Sequence, residues 1–287
     1  MGGLGNQLFQ YATGRALALK HQTELKLDLS FLNSDPNNVY TKRELELQVF
    51  HISASIASSK ELQVYYKRTI IRKIIDKLFP KLPLKDFIAN QKGCEYDEAF
   101  EAYSNNTFLN GYWQSEKYFS SIREVLLKEL VIKKDMTDQC KLTKDLILNS
   151  NSVSLHIRRG DYVSNKNAII SHGILPLEYY DKAMVHLNSL YKDLKVFVFS
   201  DDINWVKANL KLTNECVYVD FNTTENSVFD MYLMSQCRHN IIANSSFSWW
   251  GAWLNQNSQK TVIAPEKWFA DKNLNTKDLI PTSWLKM

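Results

Sequence analysis

The sequence predicts an α/β fold in which parallel strands alternate with helices. Short apolar or β-branched runs recur along the second half of the chain, and segments with the apolar spacing of amphipathic helices separate them. The length of 287 residues corresponds to about two domains, and a hydrophobic content of 45% is enough for a core in each. A polar stretch at 149–152 is the predicted boundary. We therefore expect one α/β domain over residues 1–150 and a second over residues 151–287.

The second half carries the clearer pattern. Its predicted strands lie at 153–157, 195–199, 216–219, 240–243 and 261–264, and its predicted helices at 176–191, 202–210, 225–237 and 246–255. Strands that are apolar throughout and are separated by helical crossovers indicate a parallel sheet with helices on both faces. Ligands of such sheets bind beyond the carboxyl ends of the strands. The residues that follow these strands suit a phosphorylated ligand: Arg158, Arg159, Ser200, Asp201, Asp202, Asp220, Asn244, Ser245 and Ser246.

The chain starts with a glycine-rich turn at 2–6 that leads into a helical segment at 7–20. The turn is similar to a dinucleotide-binding fingerprint, but Leu8 stands where that motif needs a glycine or alanine. A bulky side chain there keeps the helix and the strand apart, so NAD binding is disfavoured. Backbone N–H groups and the Asn6 amide at a helix start suit an anion or a sugar hydroxyl. The alternative is a turn that only reverses the chain.

Two further observations concern the first half. A glycine turn into a helix normally follows a strand, so we expect a short strand before Gly2 in the natural gene product. A strand at 24–28 and a strand–helix unit at 107–130 indicate that this half is also an α/β layer.

The run HIRRGDY, which starts at His156, is the most informative motif. His156 and Arg158 lie on one face of the predicted strand, so both can face a ligand where the strand ends. Arginine binds a pyrophosphate through two parallel hydrogen bonds and keeps its charge. We expect one arginine of the pair to contact ligand and the other to be held by a carboxylate, with Asp161, Asp220 and Asp230 as candidates. The alternative is a pair of structural salt bridges.

Two polar segments follow later strands. Asp201 and Asp202 are adjacent, which does not match the DxD spacing of a metal clamp. One of them can cap the next helix, and the other can face solvent or accept hydrogen bonds from a guanine or ribose edge. In the segment NSSFSWWGAWLN, Ser245 and Ser246 lie at a predicted helix start, where amides and hydroxyls favour phosphate. We interpret at least two of the three tryptophans in that segment as core packing.

Composition excludes several classes of protein. The 35 basic and 31 acidic residues leave a net charge of +4, which disfavours nucleic acid as a partner. Four widely spaced cysteines without a CxxC pair indicate reduced thiols. Without a spanning segment or a signal peptide, we expect a cytoplasmic location. The basic segment at 67–85 has an apolar helical stripe that packs on the domain or, as the alternative, docks at the inner face of an anionic membrane.

Four motifs together resemble one enzyme family. GGLGNQLFQYA near the start, HIRRGDY, FSDD and NSSFSWWGAWLN, in this order and spread over nearly the whole chain, resemble the bacterial α-1,2-fucosyltransferases of glycosyltransferase family 11. The resemblance implies two Rossmann-like domains that face a cleft, which is the GT-B fold. It also implies inverting transfer of L-fucose from GDP-β-L-fucose, without a metal or other cofactor. The implied acceptor is the 2-hydroxyl of a galactoside in an oligosaccharide or a lipid-linked glycan.

The resemblance also implies roles for single residues. His156 and one of the two aspartates would hold the guanine and ribose, and Arg158 with the two serines would hold the pyrophosphate. Asn6 would approach the donor from the other domain. The implied GDP-fucose site comprises Gly5, His156, Arg158, Arg159, Asp201, Asp202, Asn244, Ser245, Ser246 and Phe247. The implied catalytic residues are Arg158, Asn6 and Asp161.

The general base is left open by one departure from the related α-1,6-fucosyltransferases. There a carboxylate lies a few residues beyond the arginine motif, whereas Lys166 falls at the corresponding offset here. Asp161 is the first candidate base and His172 the second; a third alternative is that departure of the leaving group dominates and no strong base is needed. Two rival functions are a nucleotide-sugar-binding module without catalysis and a glycosyltransferase with another donor or linkage.

Overall fold

The computed structural model describes residues 2–33, 44–63, 65, 74, 78, 88–160, 173–271 and 273–287. The chain divides into two compact units. The first unit comprises Met1–Lys133 and Lys277–Leu279, and the second comprises Lys134–Thr276 and Ile280–Met287. Within the described ranges, no helix is both long enough and apolar enough to cross a bilayer. All four cysteines are free thiols, as predicted.

The first unit contains short parallel strand pairs and helices. Its strands are β1 (Lys26–Leu27), β2 (Ser55–Ile56), β3 (Ile88–Asn90) and β4 (Phe108–Asn110), and its helices are α1 (Leu4–Lys20), α2 (Ser30–Asn33) and α3 (Arg123–Glu129). β1 pairs with β2 and β3 pairs with β4, both in parallel. These parallel pairs agree with the α/β layer that the sequence predicts for this half.

Helix α1 begins earlier than predicted, directly after Gly3, so the glycine turn itself forms the first helical turn. The buried side chain of Gln7 fixes this start. Its amide nitrogen donates to the carbonyls of Gly2 at 2.9 Å and Glu44 at 2.8 Å, and its oxygen accepts from the N–H of Glu46 at 2.9 Å. Gln7 therefore satisfies backbone groups that would otherwise lie unpaired near the helix start.

The predicted helix in the second part of 107–130 is interrupted. Two short 3₁₀ turns, Glu116–Tyr118 and Ser120–Ile122, come before α3. Between them Phe119 has a non-helical φ of −141°, is fully buried, and lies 6.0 Å from the ring of Phe9. Burial of this aromatic ring outweighs the helix propensity of the segment.

The second unit is built on one parallel six-stranded sheet. Its strands are β5 (Asn151–Ile157), β6 (Leu194–Ser200), β7 (Glu215–Val219), β8 (His239–Ile241), β9 (Val262–Ala264) and β10 (Leu285–Lys286), in the order β10-β9-β8-β5-β6-β7. The helices are α4 (Asp138–Leu148), α5 (Leu177–Leu190), α6 (Ile203–Asn209), α7 (Val228–Gln236) and α8 (Ser246–Leu254). The strands and helices predicted for the second half are confirmed.

Successive residues of β6 show that helices cover both faces of the sheet. Val196 and Val198 lie in one core cluster with residues of α5 and α6. Phe197 and Phe199 point the opposite way, into a cluster with residues of α4 and α7. All four side chains are buried, which explains why the strand is apolar throughout.

Helix α4 lies before the predicted boundary at 150/151 but packs in the second unit. Its Ile147 is fully buried in the cluster that also contains Phe197 and Leu233. The chain therefore first passes from one unit to the other in the loop after α3, between Lys133 and Lys134. The assignment of 1–150 and 151–287 as domains stays a prediction.

The tryptophans of α8 are core residues, as interpreted. Trp249, Trp250 and Trp253 are at most 2% exposed and pack on each other. Gly251 lets this helix approach α7, because a Cβ at that position would lie 2.9 Å from the Cβ of Met234. The tryptophans thus anchor the helix whose first turn carries Ser246.

Candidate functional site

The sheet order places the candidate site at a switch point of the fold. The chain runs from β5 to β6 and β7 on one side and returns to β8 and β9 on the other side of β5. The crevice beside such a first strand, at the carboxyl ends, is where open α/β sheets bind ligands. Arg158 leaves the sheet at this position, between the residues that follow β6 and those that follow β8.

Strand register explains why Arg158 meets Asp201. Ile157 pairs with Ser200, so the next residue of each strand lies level with the other. Arg158 Nη1 and Asp201 Oδ2 are 3.0 Å apart, and each side chain is 24% exposed. This partial exposure keeps the pair open to a ligand while Asp201 restricts the guanidinium.

Asp201 holds the residues that follow β5, Arg158 and Arg159, through both of its carboxylate oxygens. While Oδ2 faces Arg158, Oδ1 accepts a hydrogen bond from the backbone N–H of Arg159 at 2.8 Å. Gly160 makes room for this carboxylate, because a Cβ there would lie 2.6 Å from Asp201 Oδ2. The glycine of HIRRGDY is thus required by the close approach of the second motif, FSDD.

Asp202 and Trp205 hold the second arginine. Asp202 is the N-cap of α6, since its carboxylate accepts from the N–H of Trp205 at 3.4 Å, which confirms that one aspartate caps this helix. Its other oxygen lies 3.5 Å from Arg159 Nε. The Arg159 guanidinium carbon lies 3.5 Å from the centre of a Trp205 ring. Arg159 is therefore held at its edge by a carboxylate and on its face by an indole.

Two of the carboxylates predicted to hold an arginine have other partners. Asp220 forms an ion pair with Lys207, and Asp230 accepts a hydrogen bond from Asn222 at 2.6 Å. The prediction was wrong on these two, because Asp220 follows β7, which is not adjacent to β5, and Asp230 lies on α7. The register of β5 against β6 instead places Asp201 beside Arg158. The third candidate, Asp161, lies outside the described residues.

His156 is a neutral, buried group behind the arginines. Its side chain is 5% exposed, and its ring centre lies 6.0 Å from that of Phe247. Burial, reinforced by the charge of Arg158 and opposed by Asp201, lowers the pKa of His156 to about 4. Nδ1 is buried and has no hydrogen-bond partner within the described part of the chain. A neutral imidazole here can donate or accept a hydrogen bond but adds no charge at pH 7.

The residues that follow β8 form the start of α8. The Ser245 hydroxyl oxygen accepts from the N–H of Phe247 at 3.3 Å and so caps the helix, which leaves its proton free to donate elsewhere. Ser246 is the first helical residue. Asn244 is buried, and its amide nitrogen donates to the carbonyls of Gly173 at 3.3 Å and Trp268 at 3.2 Å. The side chain of Asn244 therefore fixes the turn, while the serines carry the polar groups of the helix start.

Two predicted site residues lie in the first unit. Gly5 is buried in the first turn of α1, and Asn6 follows it. The amide oxygen of Asn6 accepts a hydrogen bond from Gln114 Nε2 at 2.7 Å. Gly2, with a φ of +74°, lies against the Asn6 side chain, because a Cβ there would meet Asn6 Nδ2 at 2.5 Å. Asn6 is thus held in one orientation from two sides.

The remaining predicted residues lie outside the described ranges. These are Asp161, His172, Lys166 and almost all of the basic segment at 67–85. Among the residues that the structure describes, no cluster of three or more His, Cys, Asp and Glu side chains forms a metal site. Metal-independent activity stays a prediction.

The whole sequence also matches the model of one protein family. The model described as "Glycosyl transferase family 11" matches residues 1–287, the whole chain. The chain belongs to glycosyl transferase family 11. The resemblance inferred from the four motifs is confirmed, and the protein is a glycosyltransferase.

Two Escherichia coli proteins are similar to this family 11 enzyme over its full length. One, named alpha-1,2-colitosyltransferase, is 37% identical over 292 residues, which cover 100% of this chain and 96% of the relative. The other, named O-antigen biosynthesis glycosyltransferase WbnK, is 36% identical over 302 residues, which cover 100% of this chain and 98% of the relative.

A solved structure confirms the predicted fold class. A mutant of Arabidopsis thaliana FUT1 in complex with GDP aligns with a TM-score of 0.52 and 9% identity, covering 99% of this chain and 74% of that chain. At this identity the likeness concerns the fold alone. The family 11 enzyme thus has an α/β fold with parallel sheets that resembles the GT-B fucosyltransferases.

Sequence reasoning missed two residues of the family 11 chain that hold predicted site residues. Trp205 stacks on Arg159, and Gln114 binds Asn6 across 108 positions of sequence. Trp205 could have been found from the sequence, because it follows the capping aspartate by three positions. A residue at that spacing lies in the first helical turn, at the same edge of the sheet as the cap. No sequence signal points to Gln114, since its contact depends on the tertiary fold.

The buried state of His156 predicts a pH dependence of stability. The unfolded chain binds a proton at this imidazole below about pH 6.5, whereas the folded chain does so only near its pKa of about 4. The contribution of His156 to the free energy of unfolding is therefore fully present above pH 6.5 and is lost as the pH falls toward 4. We expect the fall in thermal unfolding midpoint from pH 6.5 to 4 to be smaller in His156→Gln than in the native chain.

NMR on histidine-labelled protein provides a second readout that does not depend on the stability of the variant. The resonance that disappears in His156→Gln should keep the chemical shift of a neutral ring down to pH 5 in the native chain. A titration midpoint near 6.5 for that resonance would contradict the buried, neutral assignment.

Proposed function

We propose that this family 11 enzyme transfers L-fucose from GDP-β-L-fucose to the 2-hydroxyl of a galactoside, with inversion at the anomeric carbon. The observation that carries the proposal is the position of Arg158. It extends from the carboxyl end of the central strand β5, restrained by Asp201, beside the turn that leads from β8 into α8. A guanidinium and a helix N-terminus at one end of a parallel sheet are the groups that bind a diphosphate.

In the proposed reaction, the bond between the fucose anomeric carbon and the β-phosphate oxygen breaks while the acceptor oxygen bonds to that carbon. Negative charge grows on the β-phosphate and positive charge on the sugar ring. Arg158, Ser246 and the hydroxyl proton of Ser245 stabilise that negative charge. Because these groups are oriented before the reaction, they need little reorganisation as the charge develops.

The other predicted residues would bind the nucleoside, contact the donor sugar nucleotide and accept the acceptor proton. Neutral His156 and an aspartate at the end of β6 bind the guanine and ribose, with Phe247 beside the imidazole. Asn6 and Gly5 belong to the proposed donor site on the first unit. Asp161 accepts the acceptor proton, with His172 and a reaction without a strong base as the alternatives.

Substitution of Arg158 tests the proposal. We expect Arg158→Ala to lower kcat/KM for GDP-fucose by at least about 10² to 10³, as for the loss of one preorganised donor to a developing charge. Arg158→Lys keeps the positive charge but loses the planar guanidinium, so its activity should fall between that of the native chain and that of Arg158→Ala. The measurement is release of GDP together with fucosylated product from a β-galactoside.

Arg238→Ala is the matched control, because this exposed arginine precedes β8 at the opposite edge of the sheet. It should retain native activity. Activity of Arg158→Ala within twofold of native, in protein shown to be folded by circular dichroism, would rule out the proposed role.

The proposal includes no divalent ion, because the guanidinium and the helix start supply the positive potential at the diphosphate. We therefore expect transfer to continue at an unchanged rate in excess EDTA. Strict dependence on added Mg²⁺ or Mn²⁺ would show that part of the charge stabilisation comes from a metal instead.

A second candidate is transfer of colitose, which the name of the relative at 37% identity favours. The two candidates share the nucleotide site and differ only in the sugar. Parallel assays with GDP-fucose and GDP-colitose, analysed by the ratio of kcat/KM values, separate them. The name of the other relative refers to O-antigen biosynthesis, which supports a glycan acceptor.

Product NMR with a terminal β-galactoside distinguishes the 2-linkage from other linkages. Binding of GDP-fucose without formation of product would instead indicate a binding module.

A further inference from the structure

We propose that Trp205 is a positioning residue of the donor site, which acts through Arg159 and Asp201 on Arg158. The inference rests on the proposed function, because it concerns the arginine that would bind the donor diphosphate. Trp205 lies on α6 and is outside the four sequence motifs that resemble the family.

The first link is the stack of Trp205 on Arg159. The guanidinium carbon lies 3.5 Å from the ring centre, which is van der Waals contact for a flat stack. The Arg159 side chain is only 16% exposed. At this burial the cation and the ring have both lost most of their water, and the attraction is stronger than at an open surface.

The second link is Asp202, which ties both partners together. One carboxylate oxygen accepts from the backbone N–H of Trp205, and the other faces Arg159 Nε. The indole and the carboxylate therefore hold the guanidinium on its face and at its edge. A guanidinium held in this way keeps few of its alternative rotamers.

The third link leads from Arg159 to Arg158. With its side chain held, Arg159 presents its backbone N–H to Asp201 Oδ1 at 2.8 Å. The other oxygen of Asp201 pairs with Arg158 at 3.0 Å. Loss of the stack frees the Arg159 side chain and loosens the backbone that anchors Asp201. Arg158 then samples more orientations, and the diphosphate must select among them when it binds.

A purely structural role for Trp205 is the alternative, because the ring also packs against the core cluster of α5 and α6. The two roles differ in what they change. A structural role lowers stability alone, whereas a positioning role weakens diphosphate binding in protein that is still folded. Chemically graded substitutions at Trp205 separate the two.

The experiment measures the Kd for GDP and the KM and kcat with GDP-fucose for three variants at a temperature where all are folded. Trp205→Leu keeps apolar bulk and removes the aromatic face, Trp205→Phe keeps an aromatic face, and Val206→Ala opens a cavity in the core on the same helix. We expect Trp205→Leu to raise both the Kd for GDP and the KM by about three- to thirtyfold. For Trp205→Phe, the Kd for GDP and the KM should lie within about threefold of the native values. Val206→Ala should change only the unfolding temperature.

A double substitution tests the route. If Trp205 acts through Arg159, Trp205→Leu combined with Arg159→Ala should bind GDP no more weakly than Arg159→Ala alone. Three results would overturn the inference: an effect of Trp205→Leu no larger than that of Val206→Ala, a Phe variant as impaired as the Leu variant, or additive losses in the double variant. If native protein neither binds GDP nor transfers fucose, the proposed function fails and the inference fails with it. If native protein does both and one of these three results is found, the inference alone fails.

Discussion

The ion pair of Arg158 with Asp201 is the contact on which the rest of the candidate site depends. It follows from the register of β5 against β6, since Ile157 pairs with Ser200 and the next residues lie side by side. The register in turn depends on the burial of both faces of the sheet, because a slip of one residue would exchange Val198 and Phe199 between two different cores. Core packing thus sets the position of the guanidinium that we propose binds the donor diphosphate.

The two adjacent arginines have different surroundings. Arg158 pairs with Asp201 and retains 24% exposure, whereas Arg159 is held by Trp205 and Asp202. Successive residues that leave a strand point in opposite directions, so one can address a ligand while the other anchors the loop. In the proposed enzyme, Arg159 contributes mainly by fixing the loop that carries Arg158. This division refines the expectation that Arg159 belongs to the donor site.

Most of the second unit could be predicted from the sequence, with the exceptions of the edge strand β10 and the placement of α4 in this unit. Its inner strands are buried on both faces, so their position and their parallel arrangement could be predicted from apolar runs such as 195–199. The side chains at the strand ends followed from the same pattern, and the capping role of an aspartate followed from local helix chemistry. The family followed from four motifs that occur in a fixed order.

The partners of these side chains could not be predicted in the same way. Asp220 and Asp230 were candidates to hold an arginine, but the register of β5 against β6 places Asp201 beside Arg158. Helix propensity over 115–130 gave a continuous helix, but burial of Phe119 breaks it. The bond of Gln114 to Asn6 joins distant parts of the chain and is a product of tertiary packing. Each of these outcomes depends on the whole fold rather than on a local window.

The role of the Arg158–Asp201 ion pair is tested most directly by the Kd for GDP of Asp201→Asn against that of the native chain, by calorimetric titration. An asparagine can still accept from the Arg159 N–H, but it cannot form the ion pair that orients Arg158. We expect Asp201→Asn to bind GDP about tenfold or more weakly, in line with the loss of a hydrogen bond between charged groups. If Asp201 were only a negative charge near the diphosphate, its removal would leave GDP binding unchanged or make it tighter, and that result would rule out an orienting role of the ion pair.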